Sequence, residues 1–305
     1  VESRGLGDVY KRQGVEGAEI QDHQPLTEED KAQMFVDIMP EGPADDGIAY
    51  LNFYLEEDAD KESILRDVRN ALEELRTFMD IGEGTIEESE TEDKDWINNW
   101  KEFFHQFYVD DILIVPSWEE VKEEDKDKMI LHIDPGTAFG TGMHETTQLV
   151  IRQLKKYVTR GAEILDVGTG SGILGITALK LGAGHVVGTD LDPCAVSAVQ
   201  DNKEANQIED DSFDMMIGNI IDDVEVQNEV GYERYDIVAA NILADVLVPL
   251  TPVIVHQMKK GAYYITSGIL DVKEEVVREA VEKAGLTLVE VTKQGEWVCV
   301  TARKD

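Results

Sequence analysis

Ile164-Leu-Asp166-Val-Gly168-Thr-Gly170-Ser-Gly172-Ile-Leu174 joins an aliphatic run that begins at Ala162 to a helix-like stretch from Ile173 to Leu181. Three glycines between a strand and a helix let the backbone turn sharply and bring bare N–H groups at the helix N-terminus close to a ligand. A nucleotide-like cofactor is what such a loop holds. The glycines alone do not say which one, because Gly170-Ser-Gly172-Ile-Leu-Gly175 also carries the dinucleotide spacing of glycines.

Outward from this loop, strand and helix signals alternate from Lys128 to the C-terminus, as in a doubly wound α/β sheet. Strands are expected at Glu163–Val167, His185–Asp190, Met215–Gly218, Asp236–Ala240 and Ala262–Thr266, with helices beginning near Ile173, Pro193, Leu243 and Val272. Leu286–Val291 and Trp297–Ala302, joined by Lys293-Gln-Gly-Glu296, read as a terminal antiparallel hairpin. A Rossmann-like sheet with such a hairpin at one edge is a methyltransferase arrangement, and half of a simple dehydrogenase lacks it.

Ahead of this domain, Phe35–Ile38 and Ile48–Leu55 read as strands around the turn-rich segment 40–47. Ile64, Leu65, Val68, Leu72, Leu75 and Phe78 then recur at helical spacing. These make a small α+β domain. Ile86 to Asp95 is almost wholly acidic or polar, and Trp96, Trp100, Phe103, Phe104 and Phe107 after it fall at helical intervals, a pattern that reads as buried core. The expected organisation is an unmatched segment 1–13, a substrate-recognition domain 14–88, a linker and connecting helix 89–127, and a catalytic domain 128–305.

The 305 residues include 64 acids against 28 Lys and Arg, a formal charge of −36. The excess is uneven: residues 1–130 hold 37 acids and 13 bases (−24), leaving −12 for the remainder. Such a surface repels nucleic acid and steers a basic protein inward. An acidic coat that serves only solubility is the plainer reading. Cys194 and Cys299 show no metal-ligand spacing and no disulfide framework, which points to a reducing cytoplasm. No apolar run reaches the ~18 residues that a membrane helix needs. A monomer is expected, and no metal.

Asp190 ends its strand 24 positions after Asp166, where a carboxylate can accept hydrogen bonds from the two ribose hydroxyls of a nucleoside. Asp166 bears on the choice of cofactor. An acid two residues before the first glycine would hold N–H groups or a cationic amino group and would repel a pyrophosphate, which favours S-adenosylmethionine over a nicotinamide dinucleotide. A second glycine-rich segment, Asp134 to Thr147, opens a helix expected over Gln148–Tyr157. Thr146 and Thr147 near its start can cap the helix or hold a ligand carboxylate at its positive end. His144 has no ligand-spaced partners and reads as a loop histidine. Asn241 ends the strand that begins near Tyr235, at the carboxyl end beside the central crevice, where an amide can orient a substrate amine. Ile242-Leu-Ala244 after it offers no aromatic platform for a flat base, so a flexible aliphatic amine suits the site better.

With Pro135-Gly-Thr-Ala-Phe-Gly-Thr-Gly-Met-His-Glu-Thr-Thr147, Asp166 to Leu174, Gly188-Thr-Asp-Leu-Asp-Pro193 and Ala240-Asn-Ile-Leu-Ala244 in that order, the chain resembles the ribosomal protein L11 methyltransferase family, PrmA. The resemblance runs from about Gly14 to the C-terminus. It implies an S-adenosylmethionine-dependent class I methyltransferase that trimethylates lysines and the N-terminal amine of that large-subunit ribosomal protein, grasped by the small N-terminal domain. By position it implies Thr147, Gly168, Asp190 and Asn241 as cofactor-binding residues, with Phe139, Thr146 and Gly170 close by. Val1 to Gln13 departs from the family's pattern, and a truncated start is expected.

Methyl transfer from a sulfonium is an in-line displacement, so the protein must chiefly align a neutral amine with the methyl carbon. Deprotonating a free lysine at pH 7 costs about 4.6 kcal/mol. Desolvation beside a cation lowers that cost, and no residue stands out in the sequence as a dedicated base. Two other readings stay open at this level: a nicotinamide-dependent oxidoreductase, resting on the second glycine spacing, and a non-catalytic module that binds ribosomal proteins.

Overall fold

The computed structural model describes residues 19–21, 50–52, 61–77, 82, 84–87, 105–134 and 142–305. The chain divides into two compact units, Val1–Lys94 and Asp95–Asp305. In the first unit, β1 (Glu19–Gln21) pairs antiparallel with β2 (Tyr50–Asn52), and α1 (Lys61–Leu75) follows. α1 forms where the aliphatic residues recur at helical spacing, and Val68 is its most deeply buried one. The strand expected at Phe35–Ile38 lies outside the described residues. The strand expected over 48–55 is described at Tyr50–Asn52.

The second unit opens with a hairpin of β3 (Phe107–Val109) and β4 (Ile112–Val115), and β4 also pairs in parallel with β5 (Met129–His132). Within the linker and connecting helix expected over 89–127, the described residues include two strands of a small sheet, Phe107–Val109 and Ile112–Val115, followed by turns. Ile112, Leu113, Ile114 and Val115 are each 0 or 1% exposed, the continuous apolar run of a strand covered on both faces. Ile112 and Ile114 share a core with Leu149, Leu154, Ile164 and Ile173, which explains why the segment cannot hang free. Phe107, expected on a helical stripe, belongs to β3; Trp96, Trp100, Phe103 and Phe104 lie outside the described residues.

There follow α2 (Glu145–Tyr157), β6 (Glu163–Val167), α3 (Ile173–Lys180), β7 (His185–Asp190), α4 (Cys194–Ala205), β8 (Phe213–Ile217), α5 (Val224–Val230), β9 (Tyr235–Asn241), α6 (Ala244–Ile254), β10 (Met258–Leu270), α7 (Glu274–Lys283), β11 (Leu286–Gln294) and β12 (Trp297–Lys304). Strands β6 to β12 form one seven-stranded sheet in the order β11-β12-β10-β9-β6-β7-β8. β12 alone runs against the direction of the other six strands. This is the doubly wound sheet with a terminal hairpin that the sequence predicts; β10 extends four residues beyond the expected strand at each end, Met258–Leu270, and β8 begins two residues early, at Phe213. Alternate residues of the strands enter two separate cores: Val238 and Ala240 face one, Ile237 and Ala239 the other. Period-two alternation thus buries both faces.

Packing between α3 and β8 leaves no room at Gly175. A Cβ there would lie 2.5 Å from Phe213 Cε1 and 2.6 Å from Cζ. We expect Gly175→Ala to destabilise the protein by about 1–3 kcal/mol through overpacking, although alanine is the better helix former by about 1 kcal/mol. A urea denaturation midpoint equal to or above that of the wild type would contradict this packing.

Candidate active site

Strand order reverses between β6 and β9, because the chain proceeds from β6 to β7 and β8 on one side and from β9 to β10 on the other. Crevices at such switch points, beyond the carboxyl ends of the strands, are where doubly wound sheets bind ligands. Val167 pairs with Ala240, so Gly168 and Asn241 are the next residues out along these two neighbouring strands. The sequence places them 73 positions apart; the sheet makes them adjacent.

The glycine loop is held by its own backbone and by two acids. The N–H groups of Gly168 and Thr169 donate to the Thr189 carbonyl at 2.8 and 3.2 Å, which ties the loop to β7. Asp190, at the end of β7, accepts the Gly170 N–H at 2.8 Å with one oxygen and the Asp192 N–H at 2.9 Å with the other. Each of its oxygens keeps a further lone pair, as a ribose-binding carboxylate requires. Gly170 and Asp190 are thus joined directly.

Asp166 is completely buried in β6. Its Oδ2 accepts the Gly175 N–H at 3.1 Å, while its Oδ1 has no hydrogen-bond partner. Burial pushes its carboxyl up to about 7, with the nearby Asp190 charge adding to the effect. An unpartnered carboxylate oxygen in a dry interior is costly to keep.

Facing the loop, α2 begins at Glu145 and carries Thr146 and Thr147, which are 2% and 1% exposed. Neither threonine caps the helix. His144 does so: its Nδ1 accepts the Thr146 N–H at 3.3 Å, and its ring meets Trp297 edge-on at 4.9 Å. The loop histidine of the sequence reading is therefore a helix cap braced by the terminal hairpin, a role that depends on a contact across more than 150 residues of sequence. The Thr147 hydroxyl is left to accept from Asn241 Nδ2 at 3.1 Å. Asn241 Oδ1 is buried and has no partner. Phe139 lies outside the described residues, and no cluster of three His, Cys, Asp or Glu among the described residues could hold a metal ion.

Two buried acceptor oxygens without donors, Asp166 Oδ1 and Asn241 Oδ1, therefore flank a loop already supported by a second acid. The switch-point crevice, the glycine loop tied to Asp190 and the antiparallel β12 together are the arrangement of the S-adenosylmethionine-dependent methyltransferases. The model of the family described as ribosomal protein L11 methyltransferase (PrmA) matches residues 4–305. A ribosomal protein L11 methyltransferase of Agathobacter rectalis is 55% identical over 98% of this chain and 94% of its own length. One of Lachnoclostridium phytofermentans is 47% identical over 97% and 93%. The crystal structure of a ribosomal protein L11 methylase from Lactobacillus delbrueckii subsp. bulgaricus superposes with a TM-score of 0.59 and 31% identity, covering 66% of this chain and all of that one. The chain belongs to the ribosomal protein L11 methyltransferase family. Membership sets aside the oxidoreductase and the non-catalytic readings. Because the family match begins at residue 4, only the first three residues of the 1–13 segment lie outside it.

The burial of Asp166 makes a pH-dependent prediction. With a folded-state value of about 7 against the ordinary aspartate value of 3.8, the folded protein at intermediate pH holds a proton that the unfolded chain has already lost. Stability from this group is present in acid and is lost as pH rises from about 4 to about 7. We expect Asp166→Asn to be more stable than the wild type by on the order of 4 kcal/mol above that window, the gain vanishing below pH 4, with weaker cofactor binding. Parallel denaturation curves at pH 4 and pH 8 check it; a gain that does not change with pH would contradict it.

Proposed function

We propose that this chain methylates amino groups of ribosomal protein L11, with Asn241 orienting the incoming amine. The observation that supports this most directly is the divided state of the Asn241 amide: its Nδ2 is engaged by Thr147, and its Oδ1 is buried without a donor. An amine brings the N–H that this oxygen lacks. Accepting it would turn the nitrogen lone pair away from Asn241 and toward the glycine loop, and the dry crevice lowers the cost of holding the amine neutral. Bound S-adenosylmethionine supplies an electrophilic methyl group carried on a sulfonium.

Asp190 and Gly168 would hold the nucleoside, Asp190 through its remaining lone pairs and Gly168 through its bare backbone. Asp166 Oδ1 and the first turn of α2, with Thr146 and Thr147, would face the charged amino-acid end of the cofactor. Gly170 supports Asp190 through its N–H. For Phe139 the family resemblance is the only ground.

We expect Asn241→Ala to lower turnover by at least about tenfold while changing cofactor affinity less, since positioning acts mostly in the transition state. Asp190→Ala should do the reverse, weakening cofactor binding by about 1–3 kcal/mol. Calorimetry with the cofactor and initial rates on L11 separate the two. An Asn241→Ala enzyme with normal turnover and weak cofactor binding would move that residue wholly to the cofactor.

The acidic first unit, as part of a chain of charge −36, supports a role in drawing in a basic face of the substrate protein. The apparent KM for L11 should then rise steeply between about 0.1 M and 1 M salt, as the Debye length shrinks from ~10 to ~3 Å, while cofactor affinity stays nearly constant. A KM that is flat with salt would contradict steering. The free thiols of Cys194 and Cys299 suit a reducing cytoplasm as the place of action.

A further inference from the structure

Ile242, the residue after Asn241, lies between two glycines that are far apart in sequence. A Cβ on Gly168, at φ +72°, would stand 2.5 Å from Ile242 Cγ2. A Cβ on Gly268, at φ +84°, would stand 2.4 Å from the Ile242 carbonyl oxygen, 2.8 Å from its carbonyl carbon and 3.1 Å from its nitrogen. One glycine admits the side chain of Ile242 and the other admits its backbone. Both adopt left-handed backbone that other residues rarely accept.

The surrounding bonds give the arrangement direction. β10 changes register between Thr266 and Ile269, and Gly268 falls within that bulge. Ser267 stays in register with Asn241, accepts the Ile242 N–H at 3.1 Å through its carbonyl, and anchors its own hydroxyl on the Val298 carbonyl at 3.0 Å. The backbone that carries Asn241 out of β9 therefore rests on the bulge of β10, and the Ile242 side chain reaches back across the switch point to the cofactor loop. Bulges placed next to active sites commonly re-aim a side chain in this way.

We infer that Ile242 is a positioning residue: its branched Cβ, fixed between Gly168 and the Gly268 bulge, sets the spacing between the cofactor loop and the Asn241 amide, and so the alignment of methyl carbon and amine. This rests on the reading of Asn241 given above. The contact with Gly168 is made by Cγ2, the methyl that valine keeps and leucine lacks. A β-branched side chain is also stiff about χ1, which suits it to act as a spacer. If Ile242 merely filled space, valine and leucine would cost comparable stability, and neither would lower kcat selectively. As a spacer, valine keeps kcat and leucine lowers it at similar stability.

The test compares Ile242→Val, Ile242→Leu and Asn241→Ala in the full-length enzyme for kcat on L11, cofactor Kd by calorimetry, and melting temperature. Ile242→Val should keep kcat within about twofold, and Ile242→Leu should lower it roughly tenfold or more at similar melting temperature, an effect of misalignment by a fraction of an ångström. Gly168→Ala should weaken cofactor binding at least about tenfold, and Ile242→Ala in the same chain should recover the part of that loss due to the side-chain clash, the strain of the left-handed backbone at residue 168 remaining. Gly268→Ala meets backbone, and the same second substitution should not rescue it. Leucine tolerated better than valine, or no recovery in the Gly168 pair, would overturn the inference. Should Asn241→Ala prove fully active, it is the reading of Asn241 that fails, and the Gly168 and Gly268 rescue pattern still decides whether Ile242 spaces the loop.

Discussion

Everything at this site depends on the reversal of strand order between β6 and β9. Parallel strands side by side whose chains then leave in opposite directions open a gap at their carboxyl ends. The Val167–Ala240 pairing fixes which residues stand at the rim, Gly168 from one strand and Asn241 from the other. The small sheet of β3 to β5 and the first turn of α2 add to the same core as β6 and α3, so Thr147 meets Asn241 from a rigid support. A loop alone would not hold that hydroxyl within bonding distance.

Two buried acceptors without donors, Asp166 Oδ1 and Asn241 Oδ1, lie at the site; Gln106 Oε1, both polar atoms of the Gln257 amide and Arg278 Nε are unsatisfied elsewhere in the same unit. Buried Asn202 and Lys203 do find partners: Asn202 joins the Asp134 N–H to the Ser171 carbonyl, and Lys203 donates to the carbonyls of Asp210 and Phe213. Each unmet acceptor costs on the order of 1–3 kcal/mol; in the function proposed above, donors for the two at the site arrive with the cofactor and the substrate amine.

Much of this was legible in the chain itself. Glu163–Val167 and His185–Asp190 occur as strands with the bounds that their aliphatic runs predict, because a buried parallel strand between turn residues has few other readings. Gly168, Asp190 and Asn241 were findable because strand ends and glycines mark them locally. What escaped depends on contacts that sequence spacing does not carry. Ile112–Val115 is too short a run to announce a strand without its partner β5, and Phe107 falls at helical spacing by coincidence with residues outside the described ones. His144 caps α2 with its ring packed edge-on against Trp297, a neighbour that sequence spacing does not announce. Gly268 belongs to no motif, and Ile242 enters the sequence reading only as the neighbour of Asn241; their contact appears once the bulge of β10 brings them together.

The central claim is that the Asn241 carbonyl oxygen is the acceptor that orients the substrate amine at the switch point. The most direct measurement is a crystal structure of the enzyme with S-adenosylhomocysteine and a lysine-containing segment of L11. The account predicts the amine nitrogen within hydrogen-bond distance of Asn241 Oδ1, with Thr147 still holding Nδ2 and Ile242 still seated between Gly168 and Gly268. An amine held by other groups, with Asn241 Oδ1 turned to the cofactor or left without a donor, would contradict it.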